Sequence, residues 1–277
     1  MLSFVPTPIG NLEDLSFRAL KTLERAEVFF CEDTRVTKKL LSLLVDRQDA
    51  RFVPDALFLS LHSHNENERL STIDPEVFKK PCVYVSDAGM PGISDPASAL
   101  VRFCQAAQIP YEVLPGANAV LTALVASGFG DSRFFFEGFL PHKQEARKER
   151  LKTLLGYEVP VVLYEAPARI LTLSKELATL QRDRPVAFFK ELTKQHERHF
   201  VGSAAVIDTA LQQANTKGEW AVVIGPSEGA KLDGWLIEAL LQLDAPKKPL
   251  AKILSRLSGE PTAIWYDKLN NERNLST

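Results

Sequence analysis

Cysteine is scarce in this 277-residue chain: Cys31, Cys82 and Cys104 are odd in number and far apart. That spacing argues against both a disulfide framework and a zinc site. No apolar run approaches the ~20 residues that span a bilayer. The first residues read as a strand, without the basic start and small-residue cleavage site of a signal peptide. A cytoplasmic protein with reduced thiols and no membrane attachment is the expectation. An excess of one charge is also missing, since 33 Lys and Arg stand against 35 Asp and Glu, a formal −2. Proteins that grip bare nucleic acid are usually strongly basic, because phosphate neutralisation supplies most of their affinity. A nucleic-acid substrate therefore needs a local basic surface or presentation in a larger assembly. G-x-G-x-x-G, Walker A and H-E-x-x-H patterns are absent as well. Dinucleotide oxidoreductases, P-loop NTPases and zincins lose ground accordingly.

What is present is the composition of an ordinary globular protein, 45% apolar and 25% charged, at a length that favours two domains. Strand-like runs at 2–5, 28–31, 57–61, 82–85 and 111–114 alternate with helical spacing at 16–25, 34–44 and 95–107. This alternation predicts βα units and a largely parallel sheet. Pro115-Gly116 is a natural break. A second series follows, with strands at 133–137, 161–165, 186–190, 198–202 and 220–224 and helices at 144–155, 168–180 and 204–214. Beyond Gly225-Pro226 the pattern is helical only, at 234–243, 248–257 and 262–269. The expected fold is α/β: an N-terminal α/β domain (1–114), a C-terminal α/β domain (115–226) and a small helical module (227–277). Each domain is an α/β/α unit, with a ligand cleft between the two.

The chemistry-bearing residues gather at predicted strand ends, where open α/β sheets bind ligands. After the fourth strand comes Ser86-Asp87-Ala88-Gly89-Met90-Pro91-Gly92-Ile93-Ser94-Asp95-Pro96. Its glycines let backbone amides approach a bound molecule, and Asp87 could accept from ribose hydroxyls or pair with an ammonium group. A plain turn capped by Asp95 is the alternative. Pro6–Leu12 makes a stiff loop after the first strand. Glu32-Asp33-Thr34-Arg35 follows the second, as a binding cluster or as a helix start favoured by the dipole. His62-Ser63-His64-Asn65 lacks a third ligand for a metal and reads as a polar, substrate-facing loop. Tyr164–Arg169 and Lys190–Lys194 follow strands of the second series and could line the facing wall. His142–Lys152 is the densest basic stretch, with Lys143 and Arg147 among its cations. Lys247, Lys248, Lys252 and Arg256 form a second cluster. These basic helices are either solvated or in contact with phosphate.

The order and spacing of Pro6–Leu12, Glu32–Arg35, His64-Asn65, Ser86–Pro96, Pro115-Gly116, Phe136–Pro141, Tyr164–Arg169 and Glu191–Lys194 are together specific. They span nearly the whole chain. On them the sequence resembles the tetrapyrrole methylase-like, class III methyltransferases, and within these the branch that methylates a cytidine 2′-hydroxyl in 16S ribosomal RNA. Met90 stands where that pattern usually has Thr, Ala97 where it has Gly, and Ala166 and Ala168 where it has Ser and His. The resemblance implies S-adenosylmethionine in the interdomain cleft of a homodimer. Pro8, Asp87, Ala88, Gly89 and Met90 would hold it from the first domain, Asn118 and Ala119 would add contacts, and Tyr164 with the Ile224-Gly225 strand end would meet the adenine side. A ribose hydroxyl is a poor nucleophile and benefits from a positioned proton acceptor, for which Asp33 and Glu32, with His64 behind them, are the candidates. Arg35, Asn65, Lys143, Arg147, Arg169 and Lys190 are the expected substrate contacts, with 16S rRNA in the small ribosomal subunit as partner. Two alternatives are a class III methylase of a tetrapyrrole precursor or protein side chain, and a non-catalytic ribosome-binding factor that keeps a degenerate cleft.

Overall fold

The computed structural model describes residues 1–62, 65–93, 95, 97–130, 132–227, 240–241, 243, 245–258 and 260–272. Five strands form the first sheet: β1 (Leu2–Phe4), β2 (Val28–Cys31), β3 (Leu57–Ser60), β4 (Cys82–Val85) and β5 (Tyr111–Val113). Their order is β3-β2-β4-β1-β5 and every pairing is parallel. The central strands are apolar without alternation because both faces are covered. Val5, Phe29, Cys31, Val83 and Val85 pack with Ala19 and Leu23 of α1 (Phe17–Glu24) and Leu41 and Leu44 of α2 (Thr34–Gln48). Their neighbours Phe4, Phe30, Cys82 and Tyr84 point the other way. They meet Phe78 and Leu100 and Cys104 of α4 (Ala97–Ala106). Ser16 starts α1, its side chain accepting from the Ala19 N–H. A further helix, α3 (Glu66–Thr72), precedes β4.

The second sheet has a different grammar. Its strands β6 (Phe135–Phe139), β7 (Val161–Glu165), β8 (Pro185–Lys190), β9 (Arg198–Ser203) and β10 (Trp220–Ile224) lie in the order β6-β7-β10-β8-β9. Only β6 and β7 are parallel, and β10 runs antiparallel to both of its neighbours. One face packs on α6 (Gln144–Leu155), α7 (Ile170–Leu180) and α8 (Ala204–Leu211). The opposite face is partly covered by α5 (Ala119–Ser127), through Val120, Ala123 and Leu124 against Val162, Ala187 and Val223. That single helix leaves the rest of the face free to form a wall.

Boundaries expected from periodicity agree with these elements to within a few residues. Helix α5 was not expected, because it is apolar on all sides and carries no amphipathic signal. In the C-terminal module, helices Lys247–Ser258 and Thr262–Glu272 close on their own small core of Leu250, Ala251, Leu254, Trp265 and Leu269. The expected helix at 234–243 lies largely outside the described residues. No helix among the described residues is long and apolar enough to cross a membrane.

Candidate functional site

Because β2, β4 and β1 are neighbours in one parallel sheet, the loops leaving their carboxyl ends meet at one edge. The β4 loop is held from two sides. Thr7, leaving β1, bridges Gly89 with N–H to carbonyl bonds of 3.1 and 3.0 Å in the two directions. Thr7 Oγ1 donates to the Ser86 carbonyl at 3.2 Å, and Ser86 Oγ donates to the Gly89 carbonyl at 3.0 Å. Gly89 sits at φ +82°, and a Cβ there would approach Ile9 Cγ2 to 3.0 Å. The bend thus needs glycine for its conformation and for room. Farther along, the Asp95 carboxylate accepts from the N–H groups of Gly92 and Ala97, at 2.9 Å each, and from the Tyr84 hydroxyl at 3.1 Å. Burial raises the Tyr84 pKa, with the Asp95 charge adding to it, so the phenol stays a donor. Asp95 therefore ties the loop back to the strand it came from.

Loop and second sheet together enclose a cavity of about 540 Å³, within the size range of small-molecule sites. From the first domain, Glu32, Asp87 to Met90, Ile93 and Asp95 face it. Asn118 and Ala119 at the start of α5 close one side, the Asn118 side chain accepting from the Leu121 N–H at 3.1 Å. The second sheet contributes Phe139, Tyr164, Phe189 and Ala221, and the turn after β8 adds Leu192. The first wall is acidic, and the second is mainly apolar and aromatic although Glu165 and Glu219 also line it. Burial pushes the Tyr164 hydroxyl up to about 12, with the nearby Glu219 charge a lesser cause.

Two carboxylates on the acidic wall are linked crosswise through the backbone. Asp87 Oδ1 accepts from the Asp33 N–H at 3.0 Å, and Glu32 Oε2 accepts from the Asp87 N–H at 3.4 Å. Burial is the main cause that raises both pKa values. The charges of Asp87 and Asp95 add to it at Glu32, and those of Asp33 and Asp95 at Asp87. Asp33 behaves oppositely. Its carboxylate accepts from the Arg35 guanidinium at 3.2 and 2.7 Å and from the Arg35 backbone N–H at 2.8 Å as the N-cap of α2. Arg35 holds it down at about 2.

The remaining expected residues divide clearly. Asp87, Ala88, Gly89, Met90, Asn118, Ala119 and Tyr164 are brought together around the cavity. Pro8 lies beside it, with Ile9 as the lining residue of that loop. Ile224 and Gly225 are corrected: β10 runs antiparallel to β7, with Trp220 opposite Glu165 and Ile224 opposite Val161. The amino end of β10 reaches the cavity, through Glu219, Trp220 and Ala221, and Ile224 lies buried at the far end. Only a parallel β10 would have put its carboxyl end in the cleft.

Arg147 is also corrected as an exposed phosphate contact. It is 4% exposed and bridges Glu165 at 2.7 Å and Glu176 at 2.9 Å. Lys190 is buried too, its ammonium donating to the Asn215 carbonyl at 2.8 Å. Arg169 pairs with Glu165 at 2.7 Å. Asn65 serves its own loop, accepting from the His62 N–H at 2.9 Å and donating to the Ser60 carbonyl at 3.3 Å. Arg35 is exposed beside Asp33, and Lys143 is exposed at the start of α6. His64 lies outside the described residues. Among those described, no three His, Cys, Asp or Glu side chains are grouped to hold a metal. Phe139, Phe189 and Ala221 also line the cavity; Phe139 falls in the Phe136–Pro141 stretch of the resemblance, but the sequence assigns none of the three a site role, since their placement depends on strand direction and sheet order.

Comparison with known proteins extends this picture. Residues 1–208 match the tetrapyrrole (corrin/porphyrin) methylases. A Campylobacter fetus protein named ribosomal RNA small subunit methyltransferase I is 44% identical over 270 residues, covering 97% of this chain and 99% of the relative. A Helicobacter pylori protein of the same name is 41% identical over 292 residues, covering 99% of each. Among solved structures, a diphthine synthase shares the fold with a TM-score of 0.59 at 18% identity, covering 92% of this chain and 99% of that one.

Proposed function

The chain belongs to the tetrapyrrole methylase family, in the branch of the ribosomal RNA small subunit methyltransferase I proteins, and we propose that it transfers a methyl group from S-adenosylmethionine to a cytidine 2′-hydroxyl of 16S rRNA. The observation that carries this reading is the two-faced cavity. Asp87 and Asp95 of its acidic wall suit the cofactor's cationic centres, and Tyr164, Phe189 and Leu192 of its largely apolar wall suit an adenine. Asp87, Ala88, Gly89 and Met90 would hold the cofactor from the first domain, with Asn118, Ala119 and Tyr164 opposite. When bound, S-adenosylmethionine supplies a methyl group made electrophilic by a positively charged sulfur.

The chain's own residues supply orientation and proton transfer. The bridged Thr7–Gly89 loop fixes the backbone around the cavity, so that alignment of the reacting groups costs little on binding. Of the acids expected to take the hydroxyl proton, Glu32 fits that role: it faces the cavity, and its raised pKa makes it the stronger base. Asp33, committed to Arg35 and to the start of α2, is better suited to holding Arg35 in place.

A net charge of −2 and the withdrawal of Arg147 and Lys190 into the protein favour an assembled small subunit over free RNA as the substrate. Exposed cations suited to phosphate among the described residues include Lys143 at the start of α6, Lys148 and Lys152 on it, and Lys248, Lys252 and Arg256, four residues apart on one helix face. A homodimer, located in the cytoplasm, belongs to the same reading. Leu121 and Val125 leave the outer face of α5 49% and 80% exposed, a surface that a second copy would cover. The decisive test is incubation with labelled S-adenosylmethionine and either undermethylated small subunits or a porphyrinogen. Label in the 16S rRNA of the subunits is expected; label only in the porphyrinogen would overturn the proposal.

A further inference from the structure

Strand β6 contains a register shift whose consequence is local and specific. Phe135 and Phe136 pair with Val161 and Val162, but Gly138, not Glu137, faces Leu163, and Phe139 faces Tyr164. Glu137 is therefore an inserted residue, a bulge on the edge strand of the second sheet. Regular alternation would put Phe139 on the same side as Phe135, which packs into the core beneath α6 and α7. The bulge moves it to the side of Phe136, which packs on the cleft face. Tyr164 consequently has Phe136 on one flank, with ring centres 5.2 Å apart, and Phe139 on another at 5.7 Å.

The bulge is held by two devices. The Glu137 carboxylate accepts from Arg150 Nε at 2.7 Å and Nη2 at 2.6 Å, and the same guanidinium lies 5.6 Å from the centre of the Phe135 ring. Gly138 takes φ +76°, although nothing lies within 4 Å of where its Cβ would be. The glycine is required by the backbone turn, not by crowding. A charged clamp and a glycine thus aim one phenyl ring at the cavity, and that ring is 56% exposed. Across the cavity the first domain offers a second apolar side chain, Ile93, at 46% exposure.

We propose that Phe139 is the stacking platform for the base of the nucleotide being methylated, with Ile93 closing on it from the first domain. This rests on the RNA reading above and adds to it a substrate-binding residue. Single-stranded RNA is recognised by splaying a base out and stacking it on an aromatic ring, and a ring face does this whatever hydrogen bonds the base makes elsewhere. Tyr164, deeper and half-buried, is left to the cofactor side.

The test compares wild type, Phe139→Ala, Phe139→Leu and Phe139→Trp, using undermethylated small subunits with labelled S-adenosylmethionine. Affinity for S-adenosylhomocysteine is measured by calorimetry in parallel. Phe139→Ala and Phe139→Leu should lower kcat/KM for subunits about 10- to 100-fold, the range found when base-stacking aromatics are truncated. Cofactor affinity should stay near wild type, and Phe139→Trp should recover most of the loss. Leucine performing as well as tryptophan would overturn the proposal, because it would show that only apolar bulk is needed. So would a parallel loss of S-adenosylhomocysteine binding, which would make the ring a cofactor wall, or a change of oligomeric state, which would make it a subunit contact. Wild type labelling no subunit would overturn the RNA reading and the stacked base with it. An active wild type with indifferent variants would overturn the stacking alone.

Discussion

The two walls of the cavity are built in different ways. On the first domain the wall is backbone: loops leave three adjacent parallel strands, and they are shaped by Thr7, Ser86 and Asp95 hydrogen-bonding to main-chain groups. On the second domain the wall is mostly side chains standing on strands β6, β7, β8 and β10, of which β10 runs antiparallel to β7 and β8. A buried ion cluster of Arg147, Glu165, Arg169 and Glu176 lies behind it. A wall made of loops is sensitive to changes in glycine and in hydrogen-bonding carboxylates. A wall made of strand side chains is sensitive to what holds its strand ends in place.

The largest effect should come from the acid on the loop wall. Glu32→Gln should lower kcat by about 10²- to 10⁴-fold with S-adenosylhomocysteine affinity little changed, whereas Asp33→Asn should cost far less turnover. The reverse ranking in single-turnover methylation would make Asp33 the base. Next comes the second wall. Arg147→Met should destabilise the fold by about 3–5 kcal/mol, because it leaves Glu176 and part of the Glu165 charge buried without compensation. Arg147→Lys should recover little, since an ammonium cannot reproduce the fork that spans two carboxylates. Urea unfolding would measure both, and a loss under about 1 kcal/mol would place this pair with ordinary surface ion pairs. Gly89→Ala is smaller. A methyl at φ +82° beside Ile9 should weaken cofactor binding about 5- to 30-fold, from a conformational cost of about 1–2 kcal/mol. Unchanged calorimetric affinity would show that the loop adjusts freely.

The same contrast explains which parts of the site are legible in the sequence. The first wall was legible because each of its residues follows an apolar run directly, and in a parallel sheet the carboxyl end of every strand points to the ligand. That logic points to Asp87 and Gly89, and the resemblance adds Met90. The Ile224-Gly225 strand end implied by the resemblance is displaced, because β10 runs backwards and Trp220 and Ala221 reach the cavity instead. Helix spacing gave the bounds of α6 but not which cation it buries: Arg147 falls on the same face as Leu151 and Leu154, and only two facing glutamates show why a guanidinium belongs there. Phe139 depends on an inserted residue in β6, which period-two reasoning has no means to detect.

The smallest predicted effect separates two adjacent acids by sign. Glu32 binds its proton more tightly in the folded chain than its ordinary value of 4.5, chiefly because it is buried. Well below that value both states are protonated and Glu32 contributes nothing to pH dependence. As pH rises, the unfolded chain ionises first, and stability falls until the folded pKa is passed. Glu32→Gln removes this penalty while its amide oxygen can still accept from the Asp87 N–H. The variant should therefore melt slightly above wild type at pH 7, with the gain shrinking through the acid range. Asp33 is shifted the other way, from 3.8 to about 2, by Arg35. Its contribution is present above 3.8 and is lost as pH falls through about 2, so Asp33→Asn should melt slightly below wild type at pH 7 and converge with it in strong acid. Thermal melts of both variants across the acid range measure the two signs directly. A lower Tm for Glu32→Gln at neutral pH would mean that the ionised Glu32 gains more from its contact with the Asp87 N–H than burial takes away.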